Sequence, residues 1–183
     1  MAVNNIIKRI QNIMRQDAGI NGDAQRIEQM TWMFFLKVYD TQEETWEYKD
    51  ENYKSIIPED LRWRKWAVDE KDGEALTGEA LLSFVNEKLF PTLKNLPIDA
   101  NTPRAKSIVL ETFADLNQYM KNGTLLRQVV NIVNEIEFDD ADDRHTFGDI
   151  YEGILKDLQS AGNAGEFYTP RALTDFIVMM LDP

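Results

Sequence analysis

The chain has 183 residues, 43% of them hydrophobic, enough for one ordinary domain with a piece of a second. It has no cysteine and a single histidine, His145, which excludes disulfides, cysteine-ligated zinc and a metal site built from histidines. The formal net charge of -12 argues against this segment wrapping naked DNA by itself, because phosphate binding wants a basic surface.

The acidity fits either a surface that touches a basic partner or one that simply stays soluble. No apolar run approaches membrane-spanning length. Met1 to Arg15 mixes charge into its apolar pattern and has no signal-peptide core. With the absence of cysteine, this predicts a cytoplasmic protein that does not use a membrane.

An amphipathic helix is expected over about Asn4 to Gln16, with Ile6, Ile7, Ile10, Ile13 and Met14 on one side. Gly19 and Gly22 break it. A longer helix starts near Asp23, read as its cap. Ile27, Met30, Phe34 and Val38 form one stripe, and Met33, Leu36 and Tyr39 widen it. A helix apolar over so much of its circumference belongs at the centre of the domain; the functional alternative is a partner-binding helix. It can continue through Glu43 and Trp46, and Pro58 interrupts it or whatever follows.

Arg62-Trp63-Arg64-Lys65-Trp66 combines cations with aromatics. One reading has them stack on bases or grip phosphates. The reading adopted has the two tryptophans packed on the domain and the basic residues in solvent. Asp69 to Gly78 reads as a surface loop or short hairpin. Thr77 can start a helix carrying Leu81, Leu82, Phe84, Val85 and Leu89, which stops near Pro91 or bends and stops before Pro97. Another spans about Arg104 to Asp115, around Val109, Phe113 and Leu116. Gly123 is punctuation. Leu125, Leu126, Val129, Val130, Val133 and Ile136 then give a helical stripe from Thr124 onward.

Glu135 to Asp143 carries six carboxylates. It lacks the central glycine and terminal glutamate of a calcium loop, so a solvated linker and domain boundary is expected there. Phe147, Ile150, Tyr151, Ile154, Leu155 and Leu158 predict a further amphipathic helix with Ile150, Tyr151, Ile154 and Leu158 buried. A glycine-bearing loop follows from Ala161. Thr169 can cap a last helix, Pro170 suits its first position, and Leu173, Phe176, Ile177, Met180 and Leu181 repeat at helical spacing. A helix start exposes unpaired N–H groups and a partial positive charge, which suit a carboxylate. By themselves, a glycine loop and a capped helix are also common structure.

Gly165-Glu166-Phe167-Tyr168-Thr169-Pro170-Arg171 resembles the segment that opens the methyltransferase domain in modification subunits of type I restriction–modification systems. Phe147-Gly148-Asp149-Ile150-Tyr151-Glu152 resembles the helix leading into it. Ile27-Glu28-Gln29-Met30 through Phe34-Phe35-Leu36-Lys37 resembles the second helix of that family's N-terminal helical domain. The resemblance implies that Glu166, Phe167, Tyr168, Thr169, Pro170 and Arg171 contact S-adenosylmethionine. The family's second cofactor motif and its Asn-Pro-Pro-aromatic catalytic motif are absent, so the chain reads as the front part of a longer enzyme with no catalytic residue of its own.

The expected fold is mainly α. A helical domain over 1–138 is followed, over 139–183, by the first helices of a truncated α/β methyltransferase domain. The resemblance implies a full subunit that methylates the exocyclic amine of adenine in DNA, flipping the target base to reach it. It implies as partners a specificity subunit, a second modification subunit, a restriction subunit and DNA in the assembled complex. The helical domain would help assemble that complex, and this chain alone would be inactive. The alternative is a non-enzymatic acidic helical interaction protein.

Overall fold

The computed structural model describes residues 3–68, 75–99 and 102–136. Every regular element among them is helical. The expectations for Glu137 to Asp143, for the Phe147 to Leu158 helix and for the capped helix after Thr169 lie outside the described residues.

Helix α1 (Val3–Met14) buries the predicted side, with Ile6, Ile7, Ile10 and Met14 all in the core and Ile13 packed against it. Its partner is helix α7 (Gly123–Asn134). Arg9 adds a two-point ion pair to Glu135, one arm at 2.8 Å. Glu135, expected in a solvated linker, thus ties the end of α7 to α1, although the pair itself is half-exposed.

Helix α2 (Asp23–Lys49) is the central element. At about 1.5 Å per residue its 27 residues run roughly 40 Å. The expected cap moves back one residue. Gly22 occupies the cap position at φ 116°, a conformation that favours glycine, and Asp23 pairs with Arg26 instead of capping. Met30, Trp32, Met33, Phe34, Phe35, Leu36, Val38 and Tyr39 are buried, so the central reading of this helix holds. Its polar residues tie down other segments. Gln29 donates to the Asn117 carbonyl at 2.7 Å. Lys37 donates to the carbonyls of Val133 and Asn134, and so caps the C-terminus of α7, where carbonyls lack helical partners.

A 3-10 turn (Glu59–Leu61) starts after Pro58, and the short helix α3 (Trp63–Trp66) follows it. The next stretch is helical from end to end: α4 (Gly78–Ser83), a π-helical segment (Phe84–Leu89) and α5 (Phe90–Leu93). Pro91 does not stop the helix. A proline ring collides with the carbonyl four residues back in an α-helix. The wider register accommodates it, with the Phe90 N–H donating to the Val85 carbonyl. The chain therefore passes Pro91 and ends its helix before Pro97.

Helix α6 (Arg104–Asp115) has the predicted bounds and buries Ile108, Val109 and Phe113. Phe113 meets Phe90 at 5.2 Å and Phe35 at 6.1 Å between ring centroids, joining α6 to α5 and α2. Asn122 caps α7 by accepting from the N–H groups of Thr124 and Leu125 at 3.0 Å. Gly123 does more than punctuate. A Cβ there would lie 1.8 Å from the Gly78 carbonyl oxygen, so the starts of α4 and α7 touch backbone to backbone. No helix among the described residues is long and apolar enough to cross a membrane.

Candidate functional site

The sequence-predicted cofactor residues Glu166, Phe167, Tyr168, Thr169, Pro170 and Arg171 lie outside the described residues. The second candidate, Arg62 to Trp66, is described in full. Trp63 and Trp66 are 3% and 5% exposed. The Trp63 indole N–H donates to Asn134 at 2.8 Å, and Trp66 packs against Trp32 and Phe84. The packing reading holds for both rings.

It fails for the arginines, which are not in solvent. Asp40, Glu43, Glu44 and Glu47 recur at helical spacing and present one acidic face of α2. Arg64 meets Asp40, Glu44 and Glu47, each at 3.1 Å. Arg62 meets Glu47 at 2.7 Å, and Lys65 meets Glu59 at 3.3 Å. The cations that looked available for phosphates are neutralised within the fold.

Burial sets the protonation chemistry of this face. It pushes the Asp40 carboxyl up to about 6, although Arg64 pulls the other way. Burial also works against the charge on Arg64, but Asp40, Glu47 and Glu44 outweigh it and hold the guanidinium above its ordinary value. Glu43 is fully buried and accepts from the Tyr53 hydroxyl at 2.8 Å and from Ser55 at 2.5 Å. Burial and then Glu43 push the Tyr53 hydroxyl well above the usual phenol range. Among the described residues no group of three histidine, cysteine, aspartate or glutamate side chains could hold a metal ion.

Beside this face a cleft of about 360 Å³ opens between the end of α2 and the start of α6. Trp46, Lys49, Asp50, Tyr53, Pro103 and Lys106 line it. The Lys106 ammonium lies 4.3 Å from the Tyr53 ring centre and donates to the Lys54 carbonyl. Trp46 and Tyr53 lie 5.7 Å apart. These residues come from two stretches of chain some fifty residues apart. No local motif gathers them, and sequence reading singled out only Trp46, as a helix residue.

Comparison with known proteins places this arrangement. The HsdM N-terminal domain family matches residues 3–133, most of the chain. The chain belongs to the HsdM family, the modification subunits of type I restriction enzymes. A second family, N-6 DNA methylase, matches residues 142–183. Among HsdM relatives, the type I restriction enzyme EcoEI methylase subunit of Escherichia coli is 57% identical over 185 residues, which is 100% of this chain and 37% of the relative. The StySPI methylase subunit of Salmonella potsdam is 26% identical over 132 residues, covering 69% of this chain and 22% of the relative. A solved modification subunit, assigned to a type I restriction enzyme of Vibrio vulnificus, superposes with a TM-score of 0.77 at 34% identity, over 100% of this chain and 40% of that one. A chain from a solved type I restriction–modification system superposes with a TM-score of 0.70 at 35% identity, over 98% of this chain and 35% of that one. This HsdM chain therefore spans well under half the length of these relatives.

Proposed function

We propose that these 183 residues are the leading part of a DNA methyltransferase subunit that moves a methyl group from S-adenosylmethionine to the exocyclic amine of adenine. One observation carries the reading: the whole chain aligns at 57% identity with a methylase subunit. The N-6 DNA methylase match over 142–183 weighs against a purely structural interaction protein.

In this reading the chain divides near 138. The helical part, 1–138, serves assembly, and 139–183 opens the methyltransferase domain. The two family matches, which end at 133 and begin at 142, support that division. Glu166, Phe167, Tyr168, Thr169, Pro170 and Arg171 hold the cofactor, with aromatic rings against its apolar or stacked parts and a helix start near its carboxylate. The partners are a specificity subunit, a second modification subunit, a restriction subunit and DNA, all in the cytoplasm. The acidic face of α2 is closed on its own arginines. Much of the positive charge for DNA therefore comes from elsewhere in the complex.

Tritiated S-adenosylmethionine, the specificity subunit and cognate DNA provide the test. The 183-residue chain should incorporate no methyl group, since it carries no Asn-Pro-Pro-aromatic motif. A longer chain that begins with the same residues and carries that motif should incorporate it. Incorporation by the 183-residue chain would overturn the division of labour. None by the longer one would overturn the activity.

A further inference from the structure

We infer that the cleft between α2 and α6 binds a nucleotide unit, with its base against Trp46 and its phosphate between Lys49 and Lys106. The cleft's volume, about 360 Å³, lies in the range of small-ligand pockets and suits a single nucleotide. The Trp46 ring is held in place before any ligand arrives, while the Tyr53 ring beside it carries the Lys106 ammonium. Tyr39 packs edge-on against Trp46 at 5.7 Å, and Glu43 fixes the Tyr53 hydroxyl. Flat surfaces of this kind take up bases of any identity by stacking.

Charge selects the class of ligand. In a chain of net charge -12, the neighbouring Arg62 and Arg64 are consumed by carboxylates. Lys49 and Lys106 face the same cleft and, among the described residues, form no ion pair with a carboxylate. The Lys54 carbonyl and the Tyr53 ring hold the Lys106 ammonium at the rim. Asp50 also lines the cleft and accepts from the Asn52 N–H at 2.9 Å. A bare anion would meet repulsion from that carboxylate. A nucleotide offers it an amine or a sugar hydroxyl while its phosphate stays with the lysines. The unit can come from a free nucleotide or from an unpaired stretch of nucleic acid.

The test titrates the 183-residue chain at low salt with deoxyadenosine monophosphate, an eight-residue oligodeoxythymidine, inorganic phosphate or polyglutamate, following heat and tryptophan fluorescence. Saturable binding of the mononucleotide or the oligonucleotide is expected, with inorganic phosphate and polyglutamate failing to match it. Tight binding of the mononucleotide identifies a free ligand, and a clear preference for the oligonucleotide identifies a strand. The double variant K49A/K106A should keep its helical circular dichroism and lose affinity by roughly tenfold or more, as charge-assisted contacts do. Trp46→Phe, which keeps a ring, should bind within a fewfold of the parent. Lack of saturation by either nucleic ligand, unchanged affinity in a folded K49A/K106A, or equal competition by polyglutamate would overturn the assignment.

Discussion

Asp17 is 3% exposed, and three backbone N–H groups converge on its carboxylate: Gly19 at 2.7 Å and Lys121 and Asn122 at 2.9 Å. One side chain thus joins the turn after α1 to the turn before α7. Removing it leaves one buried and two part-buried donors without this partner, which costs more than the net value of the bonds themselves. Asp17→Ala should lower stability by about 2–4 kcal/mol in urea unfolding. A loss under about 0.5 kcal/mol, the scale of ordinary surface changes, would show that water replaces the carboxylate. The proposed cofactor contacts are tested at the same scale. In the longer subunit, replacing Phe167 and Tyr168 by alanine should weaken S-adenosylmethionine binding by roughly 5- to 150-fold, by analogy with bases stacked on aromatics. Isothermal titration of the folded double variant decides this. Unchanged affinity would make the two rings packing residues.

At the scale of elements, α2 and the segment carrying Arg62 and Arg64 lock together through a partly buried ionic face. Asp40 is 6% exposed there, and its carboxyl rises from 3.8 to about 6 on folding. Between those values the folded state binds the extra proton. The contribution to stability is therefore full below about pH 4 and is lost as pH rises through 6. Relative to Asp40→Asn, the parent chain should lose about 1 kcal/mol of stability between pH 5 and pH 7. Urea titrations of both proteins at pH 5, 6 and 7 measure the difference. A parent chain that gains stability over the variant as pH rises would mean that Arg64 outweighs burial. The sequence exposed half of this arrangement. Trp63 and Trp66 were legible as packing residues, because two large rings three positions apart share one side of a helical turn. The pairing of Arg62 and Arg64 was not legible. Their carboxylates lie some twenty residues upstream, and only the reversal of the chain after Lys49 brings them together. Pro91 was ambiguous for a related reason: a proline signals a break, and the sequence does not show that a π-helical register will absorb it.

At the scale of the molecule, the helices among the described residues were largely legible from apolar periodicity, and α6 has its predicted bounds, because local spacing determines which residues share a face. Long-range closure was not. Arg9 reaches Glu135, Lys37 caps α7, and Gly123 sits against Gly78, all through contacts between segments far apart in the chain. Those same contacts carry the last prediction. The first helix packs on the last described one, and Ile136, at the end of the described stretch, is only 4% exposed. The core thus closes on itself between α1 and α7, as an independent domain requires. Residues 1–138 produced alone should give a strongly helical circular dichroism spectrum and a single cooperative urea transition. Its unfolding free energy should lie within roughly 1 kcal/mol of that of the same transition in the 183-residue chain, since few stabilising contacts should cross a domain boundary. Binding of a hydrophobic dye with a broad, non-cooperative transition would show that the core needs residues beyond 138, and the proposed division of the chain would have to move.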